Sequence, residues 1–240
     1  MLLPLLTSTK YYRFPTISIL LVVANVAVFL MTKHDILGNA RQWGFIPDHS
    51  TGWVLPFSAQ GDRIETLISH AFLHGGWMHL VGNMWMLWVF GSALEVKLGH
   101  LRFALAYILC AVGAVIVHGA LVSGPPRPAI GASGAISGVL GCYLAMEPRS
   151  RVLSVFFLVI IFFFTEIPTA FYVLIWLIIQ LDGIQSHVLG SPHCRNIAWW
   201  AHIGGFWTGV IAAGVFLAAR RKNKENPQRP DILGPPMRRD

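Results

Sequence analysis

The chain has 240 residues, of which 55% are apolar and only 12% charged. An average soluble domain carries about 25% charged residues, so a water-soluble globule is excluded. The net charge of +7 does not signal nucleic acid, because many of the basic residues cluster from Arg220 onward beside an apolar segment, where they read as a cytoplasmic anchor. Apolar stretches recur along the chain without the alternating segments of roughly ten residues that mark barrel strands. The expected class is therefore all-α, a polytopic membrane helix bundle with six transmembrane helices.

Residues 1–14 read as a cytoplasmic N-terminal segment. The six spans are expected at 15–32, 77–94, 101–123, 133–147, 154–181 and 198–219, within one helical domain over residues 15–220. No small-x-small cleavage site follows the first span, so it reads as a retained helix and not a signal peptide. The loop between the first two spans carries Trp43, Phe45, Trp53 and Phe57 among polar residues, as suits an ordered structure in the membrane interface. The fifth span contains Glu166 and Pro168, so a short interfacial piece before the true span also fits it. Residues 221–240 form a polar, Pro-rich basic tail and read as disordered. Cys110 and Cys142 fall in apolar segments and Cys194 in a loop, with neither disulfide-framework nor zinc spacing.

Lysine and arginine set the orientation. Thirteen of the eighteen, including Lys10, Arg13, Lys97, Arg149 and the tail, fall on one side. Lys33, Arg41, Arg63, Arg127 and Arg195 fall on the other. Both termini are then cytoplasmic. The absence of N-x-Ser/Thr acceptors and of a transit peptide fits a bacterial plasma membrane.

With this orientation spans two, four and six all start at the outer face. Span two opens HGGWMHLVGNMW, with His79 and Asn83 four apart on one helix face. Span four opens at Ser133, in GASGAISG. Span six opens AWWAHIGGFWTG, with His202 near its start. Any one of these has a bland reading as a helix-bridging or packing residue. Their convergence at one depth favours a site, since intramembrane polar groups are costly and face the bundle interior or a wet cavity.

Small residues support that reading. Gly134, Ser137, Gly138 and Gly141 thin one side of span four. Ala201, Gly205 and Gly209 do so on span six at every fourth residue. Two thin faces bring Ser133 and His202 together at the top of a shared contact. Span four is also short, about 22 Å against a hydrocarbon core of about 30 Å. The segment before it, SGPPRPAIGA, must dip into the protein, placing Ser133 below the outer surface.

The chemistry permitted is acyl transfer. His202 is the candidate base for the Ser133 hydroxyl. Backbone N–H groups at the start of span four, with His79 and Asn83, are candidate oxyanion donors. No acid lies near His202 in sequence, Glu166 and Asp182 being better placed at the interface, so a Ser–His dyad is expected.

The three motifs HGGWMHLVGN, GASGAISG and AHIGGFWTG, in that order, resemble the rhomboid family of intramembrane serine proteases over about residues 15–220. The resemblance implies Ser133 as nucleophile and His202 as general base, with His79, Asn83 and the Ser133 backbone in the oxyanion site. It further implies supporting roles for Gly131, His74, Gly205 and Gly209. The implied substrates are transmembrane proteins, cut in or beside a membrane segment at a helix-destabilised site, with no cofactor and no metal. Two features depart from the pattern of some members. Ser137 stands where an aromatic residue stacks beneath the histidine, and RIETLISHAFLH lacks a Trp-Arg pair.

Rival readings fit less well. A metal or haem protein would use His70, His74, His79, His118 and His202, but His70-x-x-x-His74 lacks the glutamate of a zinc hydrolase motif. GASGA is not the GxSxG of a soluble hydrolase. A transporter predicts symmetry between halves, and none is visible. A catalytically silent relative that binds membrane proteins is the serious alternative, and the intact Ser133–His202 pair argues against it. Expected partners are transmembrane substrates and the lipid bilayer, without nucleic acid.

Overall fold

The computed structural model describes residues 2–9, 12–47, 64–122, 125–158, 161–188 and 197–225. Trp53, Phe57, Cys194, Arg195 and residues 226–240 of the expected tail lie outside them. The chain opens with strand β1 (Leu2–Thr7) and helix α1 (Thr16–Thr32). No side chain of its own caps α1. Its free N–H groups are met from elsewhere: the Glu95 carboxylate accepts from Ile17 N–H and Ser18 N–H, both at 2.8 Å, and from Ser18 Oγ at 2.7 Å. An anion at a helix N-terminus satisfies orphan donors and the helix dipole together. Glu95 is buried, and His100 Nδ1 completes its shell at 2.6 Å.

Helix α2 (Ile36–Trp43) is capped by Asp35, which accepts from Gly38 N–H. A short turn α3 (Thr66–Ser69) continues as 3₁₀ helix over His70–Phe72. Helix α4 (Trp77–Met86) runs through a π turn (Leu87–Gly91) into α5 (Ser92–Leu98), and α6 (His100–Leu121) follows. The central helix α7 (Ser133–Met146) is buried from Gly134 through Tyr143. It packs most extensively against α9 (Trp199–Glu225) and also against α6. Lys97 pairs with Glu147 at 3.0 Å, tying together the C-terminal ends of α5 and α7.

The expectation of an all-helical fold is corrected between α7 and α8 (Thr169–Val188). Residues expected to begin the fifth span at 154 form strands β2 (Arg151–Leu158) and β3 (Ile161–Pro168), an antiparallel hairpin with Val152 opposite Ile167. β1 pairs antiparallel with β2, giving a three-stranded sheet of order β1-β2-β3. The run RVLSVFFLVIIFFFTEIP is rich in branched and aromatic residues, which suit strands. Pro168 ends β3 where it would interrupt a helix. Helix in the expected fifth span starts only at Thr169.

By length and composition, α6, α8 and α9 are long and apolar enough to cross a membrane, while α1 and α7 are shorter apolar helices. The final helix does not stop at 219: it carries Arg220 to Glu225 as a continuation of α9.

Candidate active site

The site grows from the contact of α7 with α9. A Cβ on Gly205 would strike the Gly134 carbonyl oxygen, and one on Gly209 would strike that of Gly138. A Cβ on Gly141 would strike the Phe206 carbonyl oxygen. The helices therefore touch backbone to backbone, a separation open only to small residues. At the N-terminal end of the same contact, Ser133 directly precedes Gly134 and His202 lies three residues before Gly205, which faces the two side chains to each other.

Ser133 Oγ lies 2.9 Å from His202 Nε2. Both side chains are half-buried, within reach of the outside. On the far side of the ring, His202 Nδ1 lies 2.7 Å from Gln180 Oε1. Because an amide oxygen only accepts, Nδ1 carries the ring proton and Nε2 is left as the acceptor for the Ser133 hydroxyl. Trp176 and Trp199 flank the ring, with centroids at 6.4 and 6.0 Å. Ser137 does not support it: its hydroxyl donates instead to the Ser133 carbonyl at 2.7 Å. Glu166 is exposed on β3, 4.0 Å from Arg151, and Asp182 is exposed on α8, so neither orients His202.

The segment before α7 is tied down inside the protein. Phe45 and Ala129 exchange both backbone hydrogen bonds, at 3.1 and 2.7 Å, and Gly131 N–H donates to the His70 carbonyl at 2.9 Å. Gly131 has φ +121°, in the region that favours glycine. A Cβ there would lie 2.7 Å from His79 Nε2 and 3.7 Å from Asn83 Nδ2. Gly131 thus serves twice, in backbone conformation and in leaving open the space that these two nitrogens border.

Both nitrogens can donate into that space. Gly75 N–H donates to His79 Nδ1 at 3.3 Å, which leaves the proton on Nε2. Asn83 Nδ2 is buried and has no hydrogen-bond partner among the described residues. A buried amide N–H left unpaired costs about 1–3 kcal/mol. Ser133 N–H, at the first position of α7, has no acceptor one turn back within the helix. His74 is buried behind the cluster, its ring edge-on to His79 at 5.1 Å. Burial lowers its pKa to about 4.

The structure therefore brings Ser133, His202, His79, Asn83 and Gly131 to one place, with His74 behind them and Gly205 and Gly209 in the helix contact below. Sequence reasoning missed Gln180. The available signal was an amide closing the apolar run AFYVLIWLII of α8, since polar groups within a membrane seldom lack a partner or a role. Chemically, the array can move a hydroxyl proton onto an imidazole and place N–H donors around a nearby oxygen.

Comparison with known proteins agrees with this architecture. The family description "Rhomboid domain" matches residues 61–219. The chain is 29% identical over 228 residues to RHOMBOID-like protein 4 of Arabidopsis thaliana, covering 85% of this chain and 53% of that protein. It is 34% identical to Rhomboid protein 1, mitochondrial, of Saccharomyces cerevisiae, covering 67% of this chain and 44% of the relative. It is 31% identical to Rhomboid protease GluP of Bacillus subtilis, covering 66% and 28%. The chain thus spans about half the length, or less, of these relatives.

Proposed function

Since this chain belongs to the rhomboid family, we propose that it is a serine endopeptidase that hydrolyses peptide bonds in or next to transmembrane segments of membrane proteins. The observation that carries the reading is the 2.9 Å contact of Ser133 Oγ with His202 Nε2, at the top of a helix pair. Family membership and the apolar helices make the chain an integral membrane protein. We take α1, α4 with α5, α6, α7, α8 and α9 as six spans, and place both termini in the cytoplasm on the thirteen-to-five division of basic residues.

In the proposed reaction His202 Nε2 takes the Ser133 proton as Oγ attacks the scissile carbonyl carbon. The negative oxygen that results is held by His79 Nε2–H, Asn83 Nδ2–H and Ser133 N–H. His202 then protonates the leaving amine, the C–N bond breaks and an acyl-serine remains. Water, losing a proton to His202, attacks the acyl-serine; His202 returns that proton to Ser133 Oγ as the acyl C–O bond breaks, which frees the new carboxyl end and the serine. A substrate helix satisfies its own carbonyl groups, so it must unwind locally before one of them can reach Ser133.

The test is cleavage of a single-span substrate in proteoliposomes. Wild-type protein is expected to cut it, while Ser133→Ala and His202→Ala leave it intact. A folded wild type that binds the substrate and never cuts it would replace this reading with that of a silent binder.

A further inference from the structure

Gln180 belongs to none of the motifs that suggested the site. It sits on α8 and is only 4% exposed. A buried amide is costly unless both its ends are bonded. Here both are: Nε2 donates to the Trp176 carbonyl at 3.1 Å, one turn back, and Oε1 meets His202 Nδ1 at 2.7 Å. The Trp176 carbonyl can only accept. A flipped amide would set oxygen against oxygen there and lose the second bond, so the backbone of α8 fixes which end of Gln180 faces the histidine.

We propose that Gln180 is a positioning residue for the Ser133–His202 pair. Its carbonyl oxygen holds the imidazole in the tautomer whose Nε2 faces Ser133, and stabilises the imidazolium that forms when the serine proton is taken. The inference rests on the proposed catalytic roles of Ser133 and His202. Among the described residues, the titratable side chains whose charge bears on His202 are His79 and His118, and neither carries a negative charge. A neutral amide gives orientation without placing a permanent charge within the membrane, where an isolated carboxylate would be expensive. Trp176 supplies both the ring beside His202 and the carbonyl that orients Gln180, so α8 acts as one bracket for the base.

The experiment compares Gln180→Met and Gln180→Glu with wild type, by transmembrane-substrate cleavage and by the rate of fluorophosphonate labelling of Ser133. Met keeps the length and removes the acceptor; it is expected to lower kcat and the labelling rate about 10–100-fold, the range for a hydrogen bond that strengthens as charge develops. KM should stay within about twofold, since the residue does not touch the substrate. Glu keeps an acceptor; it is expected to retain most of the activity and to move the acid limb of the pH–rate profile to higher pH, because it favours the imidazolium. Wild-type kcat and labelling in Gln180→Met would overturn the inference, as would equal losses in both variants with an unmoved acid limb. If the Met variant does not fold, the acid limb of the Glu variant decides alone. Activity surviving in Ser133→Ala or His202→Ala would instead overturn the dyad, so the two failures are told apart.

Discussion

Gly205 on α9 and Gly134 on α7 meet so closely that a Cβ on Gly205 would run into the Gly134 carbonyl oxygen. This contact sets the distance at which His202, about one turn before Gly205, is delivered to Ser133, the residue before Gly134. A methyl group there must part the helices. Overpacking of this kind costs about 1–3 kcal/mol, and a misplacement of about 1 Å can cost about 100-fold in rate. Gly205→Ala is therefore expected to lower both the melting temperature and cleavage, the latter about 100-fold. Gly214, on the same helix, has no atom within 4 Å of a built Cβ. Gly214→Ala should leave both unchanged, which a thermal melt and a cleavage assay on the pair would check.

Asn83 separates stability from activity in the other direction. Its buried Nδ2 has no partner among the described residues, so removing it relieves an unpaired donor. As an oxyanion donor it would be worth about 100-fold or more in kcat. Asn83→Ala is expected to keep or raise the melting temperature while kcat falls by that order. A variant that loses stability but keeps kcat would assign Asn83 to helix packing.

His70 links the fold to pH. Burial lowers its pKa to about 4 from the usual 6.5, partly opposed by the hydrogen bond between its Nδ1 and the Thr66 carbonyl. The folded state thus favours neutral His70, while the unfolded chain binds a proton from about pH 6.5 downward. Stability is present in full above pH 6.5 and is lost as pH falls toward 4, by at most about 3 kcal/mol. His70 also presents its carbonyl to Gly131 N–H, so the loop before Ser133 should loosen with it. Melting temperature measured from pH 7.5 to 4.5 should drop, and His70→Gln should flatten the drop.

The positions that converge on the site could be read from the sequence because each lies within the first two turns of its helix. His79, Asn83, Ser133 and His202 need only the orientation of three helices to share a depth, and the glycines of spans four and six mark the faces that meet. The sheet was not legible in the same way. In RVLSVFFLVIIFFFTEIP the ten residues 155–164 are all apolar, and an unbroken apolar run lacks the period that separates strand from helix. Its partner β1 lies about 150 residues away, a pairing no local pattern announces. Gln180 was hidden for a related reason: its meaning comes from which face of α8 meets His202, and that depends on how α8 packs against α9. The tryptophans beside His202 do the work expected of an aromatic residue at position 137, from helices that do not carry the serine.

The most direct test of the central claim is labelling of the solubilised protein by a fluorescent fluorophosphonate, which reacts with an activated serine. Wild type is expected to label at one site, Ser133→Ala not at all, and His202→Ala far more slowly. Labelling that persists in Ser133→Ala, or a folded wild type that never labels, would contradict the assignment of Ser133 and His202 as a working pair.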